Sequence, residues 1–488
     1  MTLTSLWQDR HPRSTPPPAT DTLDETTDVV IVGGGLTGLT TAVLLSRAGK
    51  AVTVLEARRI GDGTTGGSTA KVSLLQGTQM SRIARQHPTS TLRSYAEANA
   101  EGQAWLARFC DDHGVATQRR TAYTYATTPS GERSARREVD AARRAGLHVE
   151  WREGLSLPFE TRGAAALDDQ LQVDPMEVLE ALEKEARANG VHIVEGARVT
   201  HVRGRDPVRA ITDRGTVTAD LAVLATNMPI LDRGGFFARM KPARSYGLAF
   251  TTPTAVVDGM YLSADSPSRS LRDAPGDGAG SMLLVGGEGH TTGRSGATSL
   301  RLESLRRWTH QHFPGAAETH AWSAQDYQPT HGLPFVGPLL PNNDEILVAG
   351  GYSKWGMTNA VAAALALSGR VLGGHMEWAE TFHPWRASSL RGLPADALVN
   401  AEVGVEMARG WMRPLLGSKD VHYDRVGAPS AAVADDGTQR LSAVCTHLGG
   451  IVRWNDAERS WDCPLHGSRF DTDGEVLEGP ATCGLRSR

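Results

Sequence analysis

The stretch "DVVIVGGGLTGLTTAVLLSRAGKAVTVLEA", residues 28–57, determines the fold of the first domain. Its opening apolar run stops at glycines, as a strand buried in a parallel sheet does. The next segment predicts a helix from Leu36 to Ala48, with Gly49 as its C-terminal cap. "KAVTVLEA" predicts a second strand that ends at Glu56. A strand, a helix and a further strand in this order predict a βαβ unit.

The glycines between the first strand and the helix have the spacing of a dinucleotide site. Gly33 permits the tight turn, Gly35 lets the backbone approach a pyrophosphate, and Gly38 lets the helix pack closely on the strand. The helix N-terminus offers N–H groups to the phosphates, and Glu56 would bind ribose hydroxyls. The alternative is a glycine-rich turn of another α/β fold. A second match, residues 61–66, follows no strand and is not predicted to bind pyrophosphate.

Strand and helix patterns return along the chain, interrupted by hairpin-like segments such as "YGLAFTTP" and "SMLLVGGEGH". They predict a Rossmann-type α/β domain interleaved with an α+β domain that has an antiparallel sheet. The predicted divisions are a mobile N-terminal tail at 1–26; an interleaved unit at 27–380, with Rossmann pieces at about 27–90, 165–230 and 330–375; a linker at 381–412; and a small all-β module at 413–488.

Composition describes an ordinary globular protein. The 488 residues exceed what one hydrophobic core organises, and the net charge is −4 with both signs interspersed. No nucleic-acid partner is therefore expected. We expect no membrane span, since no run reaches about eighteen apolar residues. Four cysteines are few for a secreted chain, so we expect a cytoplasmic protein.

The segment "CTHLGGIVRWNDAERSWDCPLHGSRF", residues 445–470, has the spacing of a metal site. Cys445-x-His447 and Cys463-x-x-His466 could close a tetrahedral zinc site. Zinc fingers, however, place both cysteines before both histidines. Here each loop carries one of each, which suits a two-iron cluster with both thiolates on one iron and both imidazoles on the other.

Five motifs of the front part resemble those of one flavoprotein family. "VVIVGGG", "GGSTAKVS", "LAVLATN", "HGLPFVGP" and "VAGGYSKWGMTNA" occur in the order found in D-amino-acid oxidase, glycine oxidase and sarcosine oxidase, over roughly residues 27–375. The resemblance implies FAD, held by Gly33, Gly35, Leu36, Thr37, Gly38, Glu56, Ser68, Thr69, Ala70, Val199, Ala225, Thr226, Gly351, Gly356, Met357 and Thr358.

The same resemblance implies a substrate lying over the flavin ring. The candidate catalytic residues are Lys71, Tyr246, His290 and Trp355, each with packing or surface exposure as the alternative role. Related sarcosine-oxidising enzymes carry a lysine near flavin N5, on the strand that "LLVGGEGHTTG" resembles. This chain has His290 there and no lysine, which argues against direct oxygen reduction. Lys354, in another flavin-flanking motif, is a further candidate.

"CTHLGG" and "CPLHGSRF" closely resemble the Rieske pattern, which implies a [2Fe–2S] cluster on Cys445, His447, Cys463 and His466. High-potential Rieske proteins brace the cluster with a disulfide, but Gly450 and Leu465 occupy those two positions here. Ser468 is retained, whereas Phe470 replaces a tyrosine. These departures imply a reduction potential in the lower part of the roughly −150 to +300 mV Rieske range.

Together the motifs predict an FAD-dependent dehydrogenase of an amine or amino acid, whose electrons leave one at a time through the cluster to a protein or quinone. Hydride would pass to flavin N5, and water would hydrolyse the imine. One alternative is an oxidase that reduces oxygen and carries a structural or regulatory cluster. Another is an electron-transfer protein without an organic substrate. The irregular linker predicts that the small module can rotate between partners.

Overall fold

The computed structural model describes residues 3–13, 22–253, 257–276, 280–386, 392–413, 421–423, 429–432 and 440–487. Its helices are α1 Leu6–Arg10, α2 Leu36–Arg47, α3 Gln79–Ala84, α4 Thr89–His113, α5 Pro129–Arg144, α6 Pro175–Ala188, α7 Ser299–His312, α8 Gly356–Val371 and α9 Leu393–Met412, with 3-10 helices at Phe236–Arg239 and Glu377–Phe382. Its strands are β1 Leu23–Val32, β2 Val52–Leu55, β3 Lys71–Val72, β4 Thr117–Tyr125, β5 Glu150–Arg152, β6 Ala164–Val173, β7 His192–Val194, β8 Val199–Gly204, β9 Val208–Thr212, β10 Gly215–Leu224, β11 Met240–Thr251, β12 Met260–Ser263, β13 Arg269–Pro275, β14 Ser281–Thr291, β15 Ala317–Pro329, β16 Phe335–Leu340, β17 Asn343–Gly350, β18 Val421–Tyr423, β19 Pro429–Ala432, β20 Arg440–Ser442, β21 Arg453–Asn455, β22 Ser460–Asp462, β23 Arg469–Phe470 and β24 Val476–Glu478.

The first sheet has a parallel centre in the order β7-β2-β1-β10-β17. Residues 29–32 of β1 are all buried, because the strand lies between two neighbours, Val29 and Ile31 pack in the cluster that contains α2, and Val30 and Val32 pack in a second cluster on the other face. β16 extends the sheet antiparallel to β17, and β9 with β8 extends it beside β10. The predicted βαβ unit, β1–α2–β2, lies at the centre of this sheet, which confirms the Rossmann-type prediction.

The second sheet is mostly antiparallel, in the order β15-β11-β14-β13-β12-β4-β6-β3, with β5 on β6. The two hairpin-like segments form β11 and β14, which pair antiparallel. The chain alternates between the sheets, as predicted, but the boundaries differ. β3 and β6 fall within the predicted Rossmann pieces 27–90 and 165–230, yet both belong to the second sheet.

The predicted mobile tail is wrong for residues 3–13. Leu6 and Trp7 of α1 are buried, and the Trp7 indole N–H donates to the carbonyl of Ser68 over 2.8 Å. The Ser5 hydroxyl donates to the carbonyl of Gly66 over 2.7 Å. This apolar pair anchors the segment against the first domain, although the surrounding composition is Pro- and Thr-rich. Residues 14–21 of the predicted tail lie outside the described residues.

The predicted linker, 381–412, contains the 20-residue helix α9, which contacts both parts of the chain. Asn400 donates from Nδ2 to the carbonyl of Ala238 over 2.8 Å. On the other side, Val403 and Met407 pack on the core of the small module, and a Cβ at Gly410 would lie 3.0 Å from Ile451 Cβ. The helix is therefore a packed part of the domain boundary.

The small module consists of a three-stranded sheet, β18-β19-β20, and a four-stranded sheet, β21-β22-β23-β24. A buried ion network joins it to the second sheet of the first domain. Arg244 on β11 donates to Glu458 and, over 3.1 Å, to Glu478. Arg469 donates to Glu458 over 2.6 Å and to Asp462 over 3.0 Å. Both guanidinium groups are almost wholly removed from solvent.

This network fixes the small module on the first domain. Burial alone would raise the pKa of Glu458, but Arg244 and Arg469 lower it well below its usual range. Undocking would separate buried charges that are now fully paired, which is strongly unfavourable. The expected rotation of the module stays a prediction, and it would require breaking these buried ionic contacts.

Glu458→Gln should lower the free energy of unfolding by about 3–5 kcal/mol, because it removes the carboxylate shared by two buried guanidinium groups. The native pKa of Glu458 is depressed, so its stabilisation is complete above the ordinary value of 4.5 and disappears as the pH falls through the native pKa. Urea denaturation of the holoprotein at several pH values measures both effects.

The matched control is Asp169→Asn. Asp169 pairs with Arg119 at the surface, where the two side chains are 72 % and 64 % exposed. The free energy of unfolding should therefore fall by less than about 1 kcal/mol. Equal losses for the two variants would show that the network does not hold the module in place.

Candidate active site and metal centre

A cavity of about 630 Å³ lies between the two sheets, at the carboxyl ends of β1, β2 and β10. Ligands of open α/β sheets bind at this edge. Twelve of the predicted cofactor residues line the cavity: Gly33, Gly35, Leu36, Thr37, Glu56, Ser68, Thr69, Val199, Ala225, Thr226, Gly356 and Met357. The remaining four, Gly38, Ala70, Gly351 and Thr358, are not among its lining residues.

The glycine turn has the close packing that its spacing predicts. Gly33 has a φ of +110°, and a Cβ there would lie 2.8 Å from the carbonyl oxygen of Ala225. A Cβ at Gly38 would lie 1.9 Å from the carbonyl oxygen of Gly33. Gly38 is thus a packing residue that brings α2 against the turn. Gly35 is the N-cap of α2 and supplies no side-chain cap, which leaves N–H groups directed to the cavity.

Glu56 is held at the adenosine end by backbone donors. Its carboxylate accepts from the N–H of Gly34 over 2.8 Å and from that of Arg58 over 2.9 Å. Arg58 and Arg198 also line the cavity and were missed by the sequence analysis, since neither lies in a glycine motif. The Arg58 guanidinium donates to the carbonyl of Asp62 over 2.9 Å, and that of Arg198 donates to the carbonyl of Val476 over 2.8 Å.

The second glycine match, 61–66, forms successive turns with no preceding strand, as predicted. Its residues nevertheless lie along the cavity, because Gly61 and Gly63 are part of the wall. A Cβ at Gly66 would lie 2.1 Å from the carbonyl oxygen of Gly61. The motif therefore forms part of the cavity wall through its close turns, but it does not begin a helix whose N-terminus could bind a pyrophosphate.

At the other end of the cavity, α8 begins at Gly356. Its N-cap Trp355 makes no side-chain cap, so the helix directs its positive end at the cavity. Thr358, predicted to bind the cofactor, instead donates from its hydroxyl to Asn99 over 2.6 Å behind this helix end. Two helix N-termini, a glycine turn and a held carboxylate fit an FAD molecule extended along the cavity.

Lys71 lines the cavity but is otherwise buried. Its ammonium group donates to the carbonyl of Tyr261 over 2.7 Å and to the hydroxyl of Ser270 over 2.6 Å. Burial, together with the charge of Arg272, lowers the pKa of Lys71 well below its usual value. An ammonium group has three donors, so one remains for a ligand.

Tyr246 and His290 form a stacked pair, with ring centroids 5.7 Å apart. Tyr246 lines the cavity, and its buried hydroxyl has no hydrogen-bond partner in the described part of the chain. His290 is not one of the lining residues, and burial lowers its pKa to about 4. Its ring is therefore neutral at pH 7 and supports Tyr246 instead of facing the cavity.

Lys354 and Trp355 lie on the turn before α8, and both line the cavity. The backbone N–H of Lys354 donates to the buried carboxylate of Asp326. A Cβ at Gly289 on β14 would lie 3.0 Å from Lys354 Nζ, so the ammonium group reaches the strand on which the sequence has no lysine. Burial lowers the pKa of Lys354, and Asp326 partly opposes this shift.

The four predicted metal ligands meet on two loops of the small module. Cys445 and Cys463 are buried, and the pKa of Cys445 is lowered because the Cys463 thiol hydrogen-bonds to it. The rings of His447 and His466 lie 5.2 Å apart and nearly perpendicular. Burial beside His447 lowers the pKa of His466 to about 3, which keeps its imidazole neutral, as a ligand requires.

These positions fit a two-iron cluster. His466 Nδ1 is buried and has no hydrogen-bond partner among the described atoms, which leaves it for a metal. In the described residues no group of three or more His, Cys, Asp or Glu side chains is arranged to hold a single ion. One cysteine and one histidine on each loop suit a cluster with two thiolates on one iron and two imidazoles on the other.

The predicted lack of a bracing disulfide has a geometric counterpart. Gly450 and Leu465 face each other across the loops, and a Cβ at Gly450 would lie 2.6 Å from Leu465 Cδ1. Ser468 is buried beneath the cluster loops, and its carbonyl accepts from the N–H of Cys463 over 2.8 Å. Packing around Leu465 takes the place that the disulfide has in braced Rieske proteins.

The imidazole edge of the metal site faces the first domain. His447 Nε2 and Asp232 Oδ1 are 2.5 Å apart, and the Phe237 ring lies edge-on to both imidazoles, at 5.5 Å from His447 and 5.0 Å from His466. Residues 477–479 and 481–482 of the same module line the cavity. The module thus contributes to both sites, which no sequence motif indicated.

None of the described helices is long and apolar enough to cross a membrane.

Fold and site together define an oxidoreductase that carries a flavin and an iron–sulfur cluster. The FAD-dependent oxidoreductase (DAO) family profile matches residues 28–370, and the Rieske [2Fe–2S] domain profile matches residues 417–487. The chain belongs to the DAO family of FAD-dependent oxidoreductases and ends in a Rieske domain. Its cofactors are FAD and a [2Fe–2S] cluster, as the motifs predicted.

One relative is similar over nearly the whole chain. The putative Rieske 2Fe-2S iron-sulfur protein YhfW of Bacillus subtilis (strain 168) is 32 % identical, with 97 % of this chain and 96 % of that protein covered. The cytochrome b6-f complex iron-sulfur subunit of Prochlorococcus marinus is 34 % identical over 24 % of this chain and 68 % of its own length.

Two solved structures share the fold of the first domain. L-proline dehydrogenase from P. horikoshii superposes with a TM-score of 0.62 at 16 % identity, covering 75 % of this chain and 98 % of its own. Glycine oxidase from Geobacillus kaustophilus superposes with a TM-score of 0.62 at 19 % identity, covering 74 % of this chain and 99 % of its own.

Gly38→Ala should weaken FAD binding roughly ten- to a hundredfold, because the added methyl group overpacks the glycine turn by about 1–3 kcal/mol. Fluorescence titration of the deflavinated protein with FAD measures this affinity. The control is Gly404→Ala on α9, where a Cβ meets nothing within 4 Å and FAD affinity should not change. Unchanged affinity in Gly38→Ala would contradict the packing role.

Proposed function

We propose that the protein is a dehydrogenase of an amine or amino acid that passes electrons one at a time to its own cluster and on to an external protein or quinone. The substrate loses a hydride from the carbon next to nitrogen, and water hydrolyses the resulting imine. When bound, the flavin supplies the hydride acceptor and the cluster a one-electron acceptor. The observation that carries the proposal is that the cluster-bearing module lines the flavin cavity.

The cavity residues support an amino-acid or amine substrate. Lys71 and Lys354 both line the cavity and offer amino groups to a polar part of the substrate. Tyr246 presents an aromatic ring and a hydroxyl without a described partner. Structural neighbours named L-proline dehydrogenase and glycine oxidase share this fold, and their substrates belong to the proposed class.

The docked module supports the proposed electron path. Residues 477–479 and 481–482 close the cavity on the side of the cluster. Arg198 donates to the carbonyl of Val476 over 2.8 Å, which ties this closure to the adenosine end.

Both cysteines outside the cluster loops, Cys110 and Cys483, are free thiols, which supports a reducing, cytoplasmic location.

Anaerobic titration with a panel of amines and amino acids, followed by absorbance and EPR, tests the proposal. In the wild-type protein, one of these compounds should bleach the flavin and then produce the rhombic signal of a reduced Rieske cluster. Cys463→Ser should keep flavin bleaching but lose the EPR signal, because a cluster ligand is missing. Cys483→Ser, at an exposed cysteine on the same module, should behave as wild type.

Two results would overturn the proposal. Flavin reduction by a redox protein, and by none of the organic compounds, would favour the electron-transfer alternative. Flavin reduction by an amine without any cluster signal in the wild-type protein would remove the cluster from the path.

The second candidate function is an oxygen-reducing amine oxidase, and the position of Lys354 favours it. The sequence has no lysine on β14, but the Lys354 ammonium group lies beside Gly289 on that strand. A positive charge at this point can stabilise the negative charge that develops as oxygen is reduced. The external acceptor would then be oxygen.

Under the oxidase function, Lys354→Met should slow reoxidation of the reduced flavin by oxygen roughly a hundredfold, because one preorganised charge is lost. Flavin reduction by the amine should be affected less. The control is Lys241→Met, at a surface lysine paired with Glu402. Stopped-flow mixing of reduced protein with aerated buffer measures the rate, and an unchanged Lys354→Met rate would exclude this role.

A further inference from the structure

Gln325 joins the wall of the flavin cavity to the loop that carries the cluster ligands. It lies on β15, is fully buried and lines the cavity. Its side-chain amide donates to the carbonyl of Gly467 over 2.8 Å. Gly467 follows the predicted ligand His466 directly and belongs to the small module. One side chain thus contacts both sites.

The Gln325 amide has a single well-defined orientation. Nε2 donates both to Gly467 and, over 2.9 Å, to the hydroxyl of Tyr327. Oε1 accepts from the hydroxyl of Thr292 over 2.6 Å. The backbone carbonyl of Gln325 accepts from Thr64 on the cavity wall over 2.7 Å. Because Gln325, Thr292 and Tyr327 are buried, a changed orientation of the side-chain amide would leave polar atoms unpaired.

Gly467 lies in a position that has no room for a larger residue. It has a φ of +78°, and a Cβ there would lie 2.5 Å from Pro242 Cβ and 3.1 Å from Gln325 Nε2. Its N–H donates to the carbonyl of Cys463 over 3.2 Å, which closes the ligand loop. The loop between Cys463 and His466 is therefore held against β11 and β15 at a fixed distance.

We propose that Gln325 is the positioning residue for electron transfer between the flavin and the cluster. It holds the ligand loop against the cavity wall and provides a direct polar link from that wall, through Gly467, to the neighbouring ligand His466. The inference rests on the proposed function. Each transfer removes one electron from the reduced flavin and adds one to a ferric ion of the cluster. A second transfer, with loss of the protons, follows after a one-electron acceptor has reoxidised the cluster.

Flash reduction of the anaerobic holoprotein tests this role without knowledge of the substrate. A photogenerated 5-deazariboflavin radical delivers one electron to the protein. Absorbance then records the phase in which that electron passes between the flavin and the cluster, so that one cofactor is oxidised while the other is reduced. The rate of that phase must be independent of protein concentration. Gln325→Met keeps the volume but removes the bond to Gly467, and it should slow the phase roughly tenfold, because small misplacements lower rates strongly.

The control variant is Tyr327→Phe, which removes the other acceptor of the same amide and leaves the Gly467 bond in place. In this variant, the electron should pass between the flavin and the cluster at the wild-type rate. FAD content, iron content, EPR g values and both midpoint potentials are measured for each variant, because the driving force must be unchanged. A wild-type rate in Gln325→Met, or equal slowing in Tyr327→Phe, would overturn the role of Gln325.

The two proposals fail in different ways. If the wild-type protein shows no concentration-independent phase, electron transfer to the cluster is excluded and the proposed function falls with it. If the wild-type phase is present and Gln325→Met matches it, only the inference on Gln325 falls. Should Gln325→Met lose a cofactor, Thr292→Val removes the donor that orients Gln325 Oε1, and a wild-type rate there would overturn the inference equally.

Discussion

The buried ion pairs of Arg244 with Glu458 and Glu478 determine where the two cofactor sites lie relative to each other. Taking charges out of water is costly, and only complete pairing offsets that cost. Arg244 belongs to the flavin domain, whereas both carboxylates belong to the cluster module. Glu458 and Glu478 also pair with Arg469 of their own module, whereas the two carboxylates that pair with Arg244 both lie across the boundary. The boundary is therefore a fixed interface in this structure, and the geometry of both sites depends on it.

Docking gives the small module two functions at once. Its β24 region closes the flavin cavity, and its ligand loop contacts the cavity wall at Gln325. The imidazole edge of the metal site is covered by Asp232 and Phe237 of the first domain. That edge consequently faces the flavin domain. A flavin handles electrons in pairs and a cluster handles them singly, and under the proposed function a fixed arrangement of the two sites suits two successive one-electron transfers.

Features encoded locally could be predicted from the sequence. Gly33, Gly38 and Glu56 act within one βαβ unit, and the Cys and His spacing of the ligand loops is read directly from the chain. Contacts between distant segments could not be predicted. Trp7 looked like part of a tail because its acceptor, the carbonyl of Ser68, is sixty-one residues away. His290 was placed over the flavin on the resemblance of its motif, and a motif does not show that His290 stacks against Tyr246 while only Tyr246 of the pair lines the cavity.

Lys354 shows how such a distant contact changes a chemical conclusion. Ser353 and Lys354 both have positive φ angles, of 54° and 73°, a conformation that non-glycine residues rarely adopt. The turn keeps this conformation because Asp326 accepts from the N–H of Lys354 and the carbonyl of Tyr327 accepts from that of Ser353. Strained backbone of this kind persists where surrounding contacts enforce it, often at functional sites. Gly289 leaves the space that the ammonium group occupies. The absence of lysine from β14 therefore does not remove an amino group from that position, and under the proposed function Lys354 and the cluster are the two features that bear on the electron acceptor.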